Sequence, residues 1–335
     1  MNTIINSNAL PKTDSHYIND LWGIVLAGGE GTRLSDFTRK IYGYHRPKQY
    51  CTLIGTRSLI RHTVERVRII IPSKQILTVV NKDHLHYYVE DLHDQPEDTI
   101  VIQPCARDTV AGVLYPMLKI FDMDPDSVVA IFPSDHFIEE ENYFMNCVNE
   151  ARLFVESSPD SIVMLGIKPE IIESGYGWIE RGDPIHENFR ANIANVGRFW
   201  EKPTREISEQ LFSKQCLINT FVLIGKSSVF IKYIKQCLPE VYNAFSAIRS
   251  NINSSEESVI AEYTYPDIPL ANFSSMVLEK ITNCLRVLEV KNVHWSDWGE
   301  EQRVQYDINR IKSKKQLPLI KPVMNKQNQN RYLNA

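Results

Sequence analysis

Nowhere in the 335 residues do two cysteines stand at C-x-x-C spacing, and none of the six has a histidine beside it at metal-ligand spacing. A zinc site built on thiolates is thereby disfavoured, and Cys51, Cys105, Cys147, Cys216, Cys237 and Cys284 are expected to be reduced thiols in or near the core. Long apolar runs are missing as well, and the first 20 residues lack the basic flank and apolar centre of a signal peptide. The cytoplasm is the expected compartment, with no membrane partner. Nor is there an excess of either charge: 37 Lys and Arg against 41 Asp and Glu leave a net charge of -4. Without a broad basic field nucleic acid is not an expected partner, so an anionic ligand has to be held by a local cluster of cations.

Apolar residues are plentiful, 43% of the chain, enough to bury a full core. Short β-branched runs recur as "WGIVLAGG", "ILTVV", "TIVIQP", "SVVAIFPSD" and "SIVMLGI". Between them lie segments with helical periodicity, one placing Ile60, Val64, Val67 and Ile71 on a face, another Phe144, Cys147, Val148, Ala151 and Val155. Strands alternating with helices predict an α/β fold, a Rossmann-like, mainly parallel sheet with helices on both faces. The second half is less regular, with an amphipathic stretch from Ser227 to Leu238. No linker divides the chain. The expected organisation is a polar segment over 1–20, one domain over 21–299, and a final helix, Glu300 to Ser313, leading into a polar tail that ends at residue 335.

Ligands of such sheets sit beyond the carboxyl ends of the strands, and there the unusual residues gather. "GGEGTR" follows the first strand, "QPCARDT" the third run and "PSDH" the fourth. A glycine turn after a strand offers backbone N–H groups to phosphate. The dinucleotide fingerprint fails, because Leu34 stands where its last glycine belongs. The P-loop fails too: "GKSS" at Gly225–Ser228 has Thr220 in place of the first glycine, and Ser227 reads instead as a helix N-cap. Two readings stay open: a plain tight turn, or a nucleoside triphosphate site in which Arg33 forks onto phosphate oxygens and Lys48 adds a point charge.

In order and approximate spacing, "LAGGEGTRL", "RPKQY", "QPCARDT", "FPSDHFI", "GYGWIE", "FWEKP" and "WSDWG" resemble the sugar-nucleotide pyrophosphorylases, and within them most of all the mannose-1-phosphate guanylyltransferases. The resemblance covers Leu21 to Gly299. It implies the nucleotide-diphospho-sugar transferase fold and an enzyme that condenses a nucleoside triphosphate, GTP, with a hexose 1-phosphate, mannose 1-phosphate, using magnesium. By the resemblance Ala27, Gly28, Gly29, Gly31, Thr32 and Arg33 line the phosphates, with Lys48 as the signature lysine. Gln103, Pro104 and Arg107 lie near the base, ribose or phosphates. Asp135 and Asp297 share the magnesium ion; Gly177, Glu201 and Asn219 meet the sugar and Lys202 its phosphate. Arg33, Lys48, Asp135 and Lys202 form the catalytic set. His136 is read as structural, and Trp295 and Trp298 as core aromatics. A UTP- or dTTP-dependent glucose-1-phosphate enzyme and a non-catalytic nucleotide-sugar binder are the alternatives. The oligomeric state is open, a homodimer being one option.

Two departures stand out. The interval from Arg33 to Lys48 is about four residues longer than the family's and holds "KIYGYHR", leaving the exact roles of Arg39, Arg46 and Lys48 open. The family's sugar-side "NSG" is "NTF" here, Asn219–Phe221, which takes room from the pocket. No left-handed β-helix domain is expected after Gly299.

Overall fold

The computed structural model describes residues 20–185 and 192–315. The polar segment expected at the start, Asp20 apart, and the tail after residue 315 lie outside the described residues. Eleven strands are described: β1 (Leu21–Ala27), β2 (Ile76–Asn81), β3 (Ile100–Gln103), β4 (Val128–Pro133), β5 (Phe137–Ile138), β6 (Ile162–Ile167), β7 (Gly177–Pro184), β8 (Ile193–Glu201), β9 (Leu217–Lys226), β10 (Leu285–Val290) and β11 (Trp295–Ser296). Nine of them form one sheet in the order β3-β2-β1-β4-β9-β6-β10-β8-β7, and β11 pairs with β5 in a small ribbon.

The first four sheet strands are parallel, as continuous apolar runs covered on both faces predict. Beyond them β9 runs against both β4 and β6, and β8 against both β10 and β7. Most strands thus share one direction, with two reversed strands inserted in the half where periodicity was weakest. β7 also pairs with β9, so the last strands curl back on themselves and bring Gly177 next to Asn219.

Both predicted helix faces are buried. Ile60, Val64 and Val67 lie on the Leu59–Val67 helix and Ile71 just past it, while Phe144 to Val155 belong to the Glu141–Ser157 helix. The longer interval after Arg33 folds into a helix, Ser35–Tyr42, ended by Gly43 at φ 83°. The final helix runs Glu301–Lys315. Together these two helices cover Trp298 in a separate small core with Leu34, Phe37, Cys51, Leu59 and Val304. Ser227 corrects the N-cap expectation. It is the first residue inside the Ser227–Cys237 helix, and its hydroxyl is engaged with Ser127 Oγ at 3.1 Å and Pro125 O at 3.3 Å rather than with helix N–H groups. Among the described residues no helix is long and apolar enough to cross a membrane.

Candidate functional site

The glycine turn leaves β1 at the carboxyl end of the parallel strands. Gly31 has φ 62°, and a Cβ there would stand 2.7 Å from the backbone nitrogen of Lys48. Backbone angle and space therefore both require glycine. A Cβ on Gly28 would meet Gln103 Oε1 at 2.6 Å, while around Gly29 the space is open. The turn is held from beneath by Gln49, whose buried amide donates to the carbonyls of Ala27 (2.9 Å) and Gly29 (2.7 Å). Gln49 stands next to the signature lysine, yet its type alone does not announce this supporting role.

Lys48 is buried at the start of a short 3-10 turn behind Pro47. Its ammonium is 2.8 Å from Asp135 Oδ2 and donates to the carbonyls of Asp297 and Trp298, the latter at 3.3 Å. One cation thus ties together three distant segments. Asp297 is also buried; its Oδ1 accepts from Gly299 N (3.0 Å), Tyr176 Oη (3.2 Å) and Arg303 Nη1 (2.9 Å), and its Oδ2 faces Arg33 Nη2 at 3.5 Å. Burial by itself would raise both acids. For Asp135 the charges of Lys48 and Arg33 outweigh it, and for Asp297 those of Arg303 and Lys48 do, so both are held below the usual carboxylate value and stay ionised. Burial drives the His136 imidazole down to about 4, so it is neutral at ordinary pH; its ring lies edge-on to Trp295.

Both aspartates border one cavity of about 480 Å3. Among the described residues no three His, Cys, Asp or Glu side chains form a ready-made metal cage. Two hard carboxylates on a shared cavity, each with one oxygen less engaged than the other, nevertheless fit magnesium, which takes one or two carboxylates and completes its shell with phosphate oxygens and water.

Gly28, Gly29, Arg33, Gln103 and Arg107 border the same cavity from the side of β1 and β3. Gly31, Thr32 and Lys48 border an adjoining space of about 200 Å3 that shares Arg33 and Asp135 with it. Gln103 donates to Tyr265 Oη at 2.8 Å and Arg107 to the carbonyls of Tyr265 (3.2 Å) and Pro266. Ala27 lies behind the turn, fully buried. Pro104 is elsewhere, just past the end of edge strand β3, on a separate cavity that Ile100 and Ile102 also border.

Gly177, Glu201, Lys202 and Asn219 border the cavity on the other side. A Cβ on Gly177 would come within 3.1 Å of Glu201 Oε2 and 3.3 Å of Asn219 Cβ. Glu201 is raised by burial, which Lys202 at 3.4 Å only partly offsets. Arg39 pairs with Asp36 at 3.6 Å, and the Arg46 guanidinium lies between the Tyr42 and Tyr87 rings, so neither borders the cavity.

Seven non-glycine residues have positive φ among the described residues; Asp108 (60°), Lys202 (47°) and Phe221 (58°) border this cavity and Trp298 (44°) the adjoining one. The left-handed conformation costs roughly 1–2 kcal/mol per residue, and such strain concentrates at functional sites. Sequence reading missed Tyr176 and Arg303. The Arg303 guanidinium lies 4.8 Å from the Tyr176 ring centre and also meets that hydroxyl, but it comes after the last recognisable motif.

The chain is 28% identical over 300 residues to mannose-1-phosphate guanylyltransferase 2 of Escherichia coli O157:H7, covering 87% of this chain and 60% of that one. It is 28% identical over 282 residues to mannose-1-phosphate guanylyltransferase of Salmonella montevideo, covering 82% and 57%. The chain thus spans less than two thirds of either relative. Among solved structures, the mannose-1-phosphate geranyltransferase of Thermus thermophilus superimposes with a TM-score of 0.72 at 22% identity, over 85% of this chain and 79% of that one, and shares the fold. The family model described as nucleotidyl transferase matches residues 22–304, a span that holds the glycine turn, both aspartates and Arg303, and the chain belongs to that family.

Proposed function

We propose that the chain joins mannose 1-phosphate to GTP, releasing pyrophosphate and forming GDP-mannose, with magnesium as the cofactor. The observation that carries this reading is the single cavity with the glycine turn and Arg33 on one side, Glu201, Lys202 and Asn219 on the other, and Asp135 and Asp297 bordering it. The names of the two bacterial relatives support the choice of base and sugar.

A phosphate oxygen of the sugar phosphate forms the new bond to the α-phosphorus while the bond from that phosphorus to the bridging oxygen breaks; pyrophosphate leaves with the electron pair. The attacking oxygen is already anionic, so no general base is needed, in keeping with a neutral His136. What the reaction requires is alignment and neutralisation of two polyanions that repel each other. The turn's N–H groups and Arg33 hold the triphosphate, Lys202 the sugar phosphate, and Lys48 fixes Asp135 against the Asp297 segment. Magnesium, when bound, supplies further charge neutralisation between the substrates, held by Asp135 and Asp297.

The test is pyrophosphate release with magnesium across GTP, UTP, dTTP, ATP and CTP against the 1-phosphates of mannose, glucose and N-acetylglucosamine. A maximum for GTP with mannose 1-phosphate is the expected result. A maximum elsewhere in the grid replaces the base or the sugar, and silence throughout from folded protein overturns the activity.

A further inference from the structure

Phe221 occupies a place where the backbone itself asks for glycine. The pairing of β6 with β9 steps from Gly166↔Asn219 to Met164↔Leu223, leaving Thr220, Phe221 and Val222 opposite the single residue Leu165. Bulges of this kind re-aim a side chain beside active sites. Here φ at Phe221 is 58°, and the conformation is held from both flanks. Asn219 Oδ1 accepts from Phe221 N at 3.0 Å, and Thr220 Oγ1 donates to Leu165 O at 2.7 Å while accepting from Val222 N at 3.3 Å. Phe221 borders the cavity, edge-on to the fully buried Phe273, whose neighbours Asn272 and Ser274 also border it.

We propose that Phe221 determines sugar specificity: its ring forms a fixed wall of the sugar region and restricts the acceptor to hexose 1-phosphates without a bulky ring substituent. The inference rests on the nucleotidyltransferase reading above. A benzyl side chain offers no hydrogen bond, only rigid volume and an apolar face on which the C–H face of a plain sugar ring can lie. A 2-acetamido group adds a planar amide that needs both space and a hydrogen-bonding partner, and an apolar wall supplies neither. Because the bulge is pinned at Asn219 and Thr220, the wall cannot yield by a simple loop shift. The polar groups of Glu201 and Asn219 are left to hold hydroxyls.

The experiment compares kcat/KM for mannose 1-phosphate with that for 2-acetamido-2-deoxymannose 1-phosphate in the wild type, Phe221→Gly and Phe221→Leu. The glycine variant suits the observed backbone. The leucine variant keeps bulk without a ring. The wild type is expected to favour the plain sugar, and Phe221→Gly to shrink that preference about tenfold or more, the scale at which pocket volume discriminates, through the KM of the acetamido substrate. An unchanged ratio in folded Phe221→Gly, or a wild type that prefers the acetamido sugar, overturns the proposal. If no sugar phosphate turns over, the activity reading fails separately; the same ratio is then read as calorimetric Kd values for the two GDP-sugars, and equal ratios in wild type and Phe221→Gly overturn the role of Phe221.

Discussion

Asp297 keeps three donors on one carboxylate oxygen and a single cation, 3.5 Å away, on the other. That asymmetry leaves Oδ2 as the oxygen to offer a metal, and Asp135 is divided in the same way by Lys48. Asp135→Asn and Asp297→Asn are expected to lower turnover by about a hundredfold or more, since metal-assisted stabilisation supplies several kcal/mol, and to weaken manganese binding followed by electron paramagnetic resonance. A folded variant with near-normal rate and manganese affinity removes that residue from the metal site. The meeting of Lys48, Asp135 and Asp297 was legible because each sits in a short motif, the two aspartates after apolar runs. Arg303 was not, since its partner is set by how the last helix docks. The left-handed backbone at Phe221 was hidden for another reason: the usual sequence signs of positive φ are glycine and asparagine.

At the scale of elements, the helices and the mainly parallel sheet were legible, and the reversed direction of β8 and β9 was not. "LINTFVLIGK" is apolar almost throughout, because β9 is covered on both faces, and such a run looks the same whichever way it points. The helix Glu257–Thr264 is fixed by chemistry that periodicity does not report. Glu257 accepts from Lys119 (2.6 and 2.7 Å), from Tyr115 Oη (2.8 Å) and from Asn253 N (2.7 Å) while nearly buried. Tyr115 and Lys119 lie on the Asp108–Met123 helix, whose first residues border the cavity. Glu257→Ala leaves the largely buried Lys119 ammonium unpaired and is expected to cost about 3 kcal/mol in chemical denaturation. Glu257→Leu combined with Lys119→Met should cost less than the single change; if it costs more, burial of the ion pair is not what makes the single variant unstable.

Across the whole molecule, segments from near the two ends of the described chain meet. The inserted helix touches the final one through Lys40 and Glu301 at 2.9 Å, and both close over Trp298. Trp298 donates its indole N–H to Asp307 Oδ2 at 2.7 Å, and Asp307 Oδ1 is 2.5 Å from His294 Nε2. Burial would lower the His294 imidazole, but Asp307, with Glu170 at 3.6 Å, outweighs burial and Arg310 and raises it above 6.5. A raised histidine stabilises fully below its unfolded value and loses that contribution as pH rises through the folded one. The stability advantage of wild type over His294→Gln should accordingly be fully present below about pH 6.5 and shrink as pH rises through the raised folded value, as followed by urea denaturation. An advantage that grows with pH would show that the neutral ring is the stabilising form.

Lys48 rests on carbonyls made 249 and 250 residues after it. During synthesis, at about 5–20 residues per second, that separation is between roughly ten seconds and a minute. For that interval the emerging chain already carries its glycine turn and its lysine, while the floor beneath the ammonium has yet to be translated. A ribosome stalled before Asp297 is added leaves a product with the turn but without the second aspartate. Only a chain synthesised past β11 therefore carries both carbonyls beneath the Lys48 ammonium and both aspartates of the site.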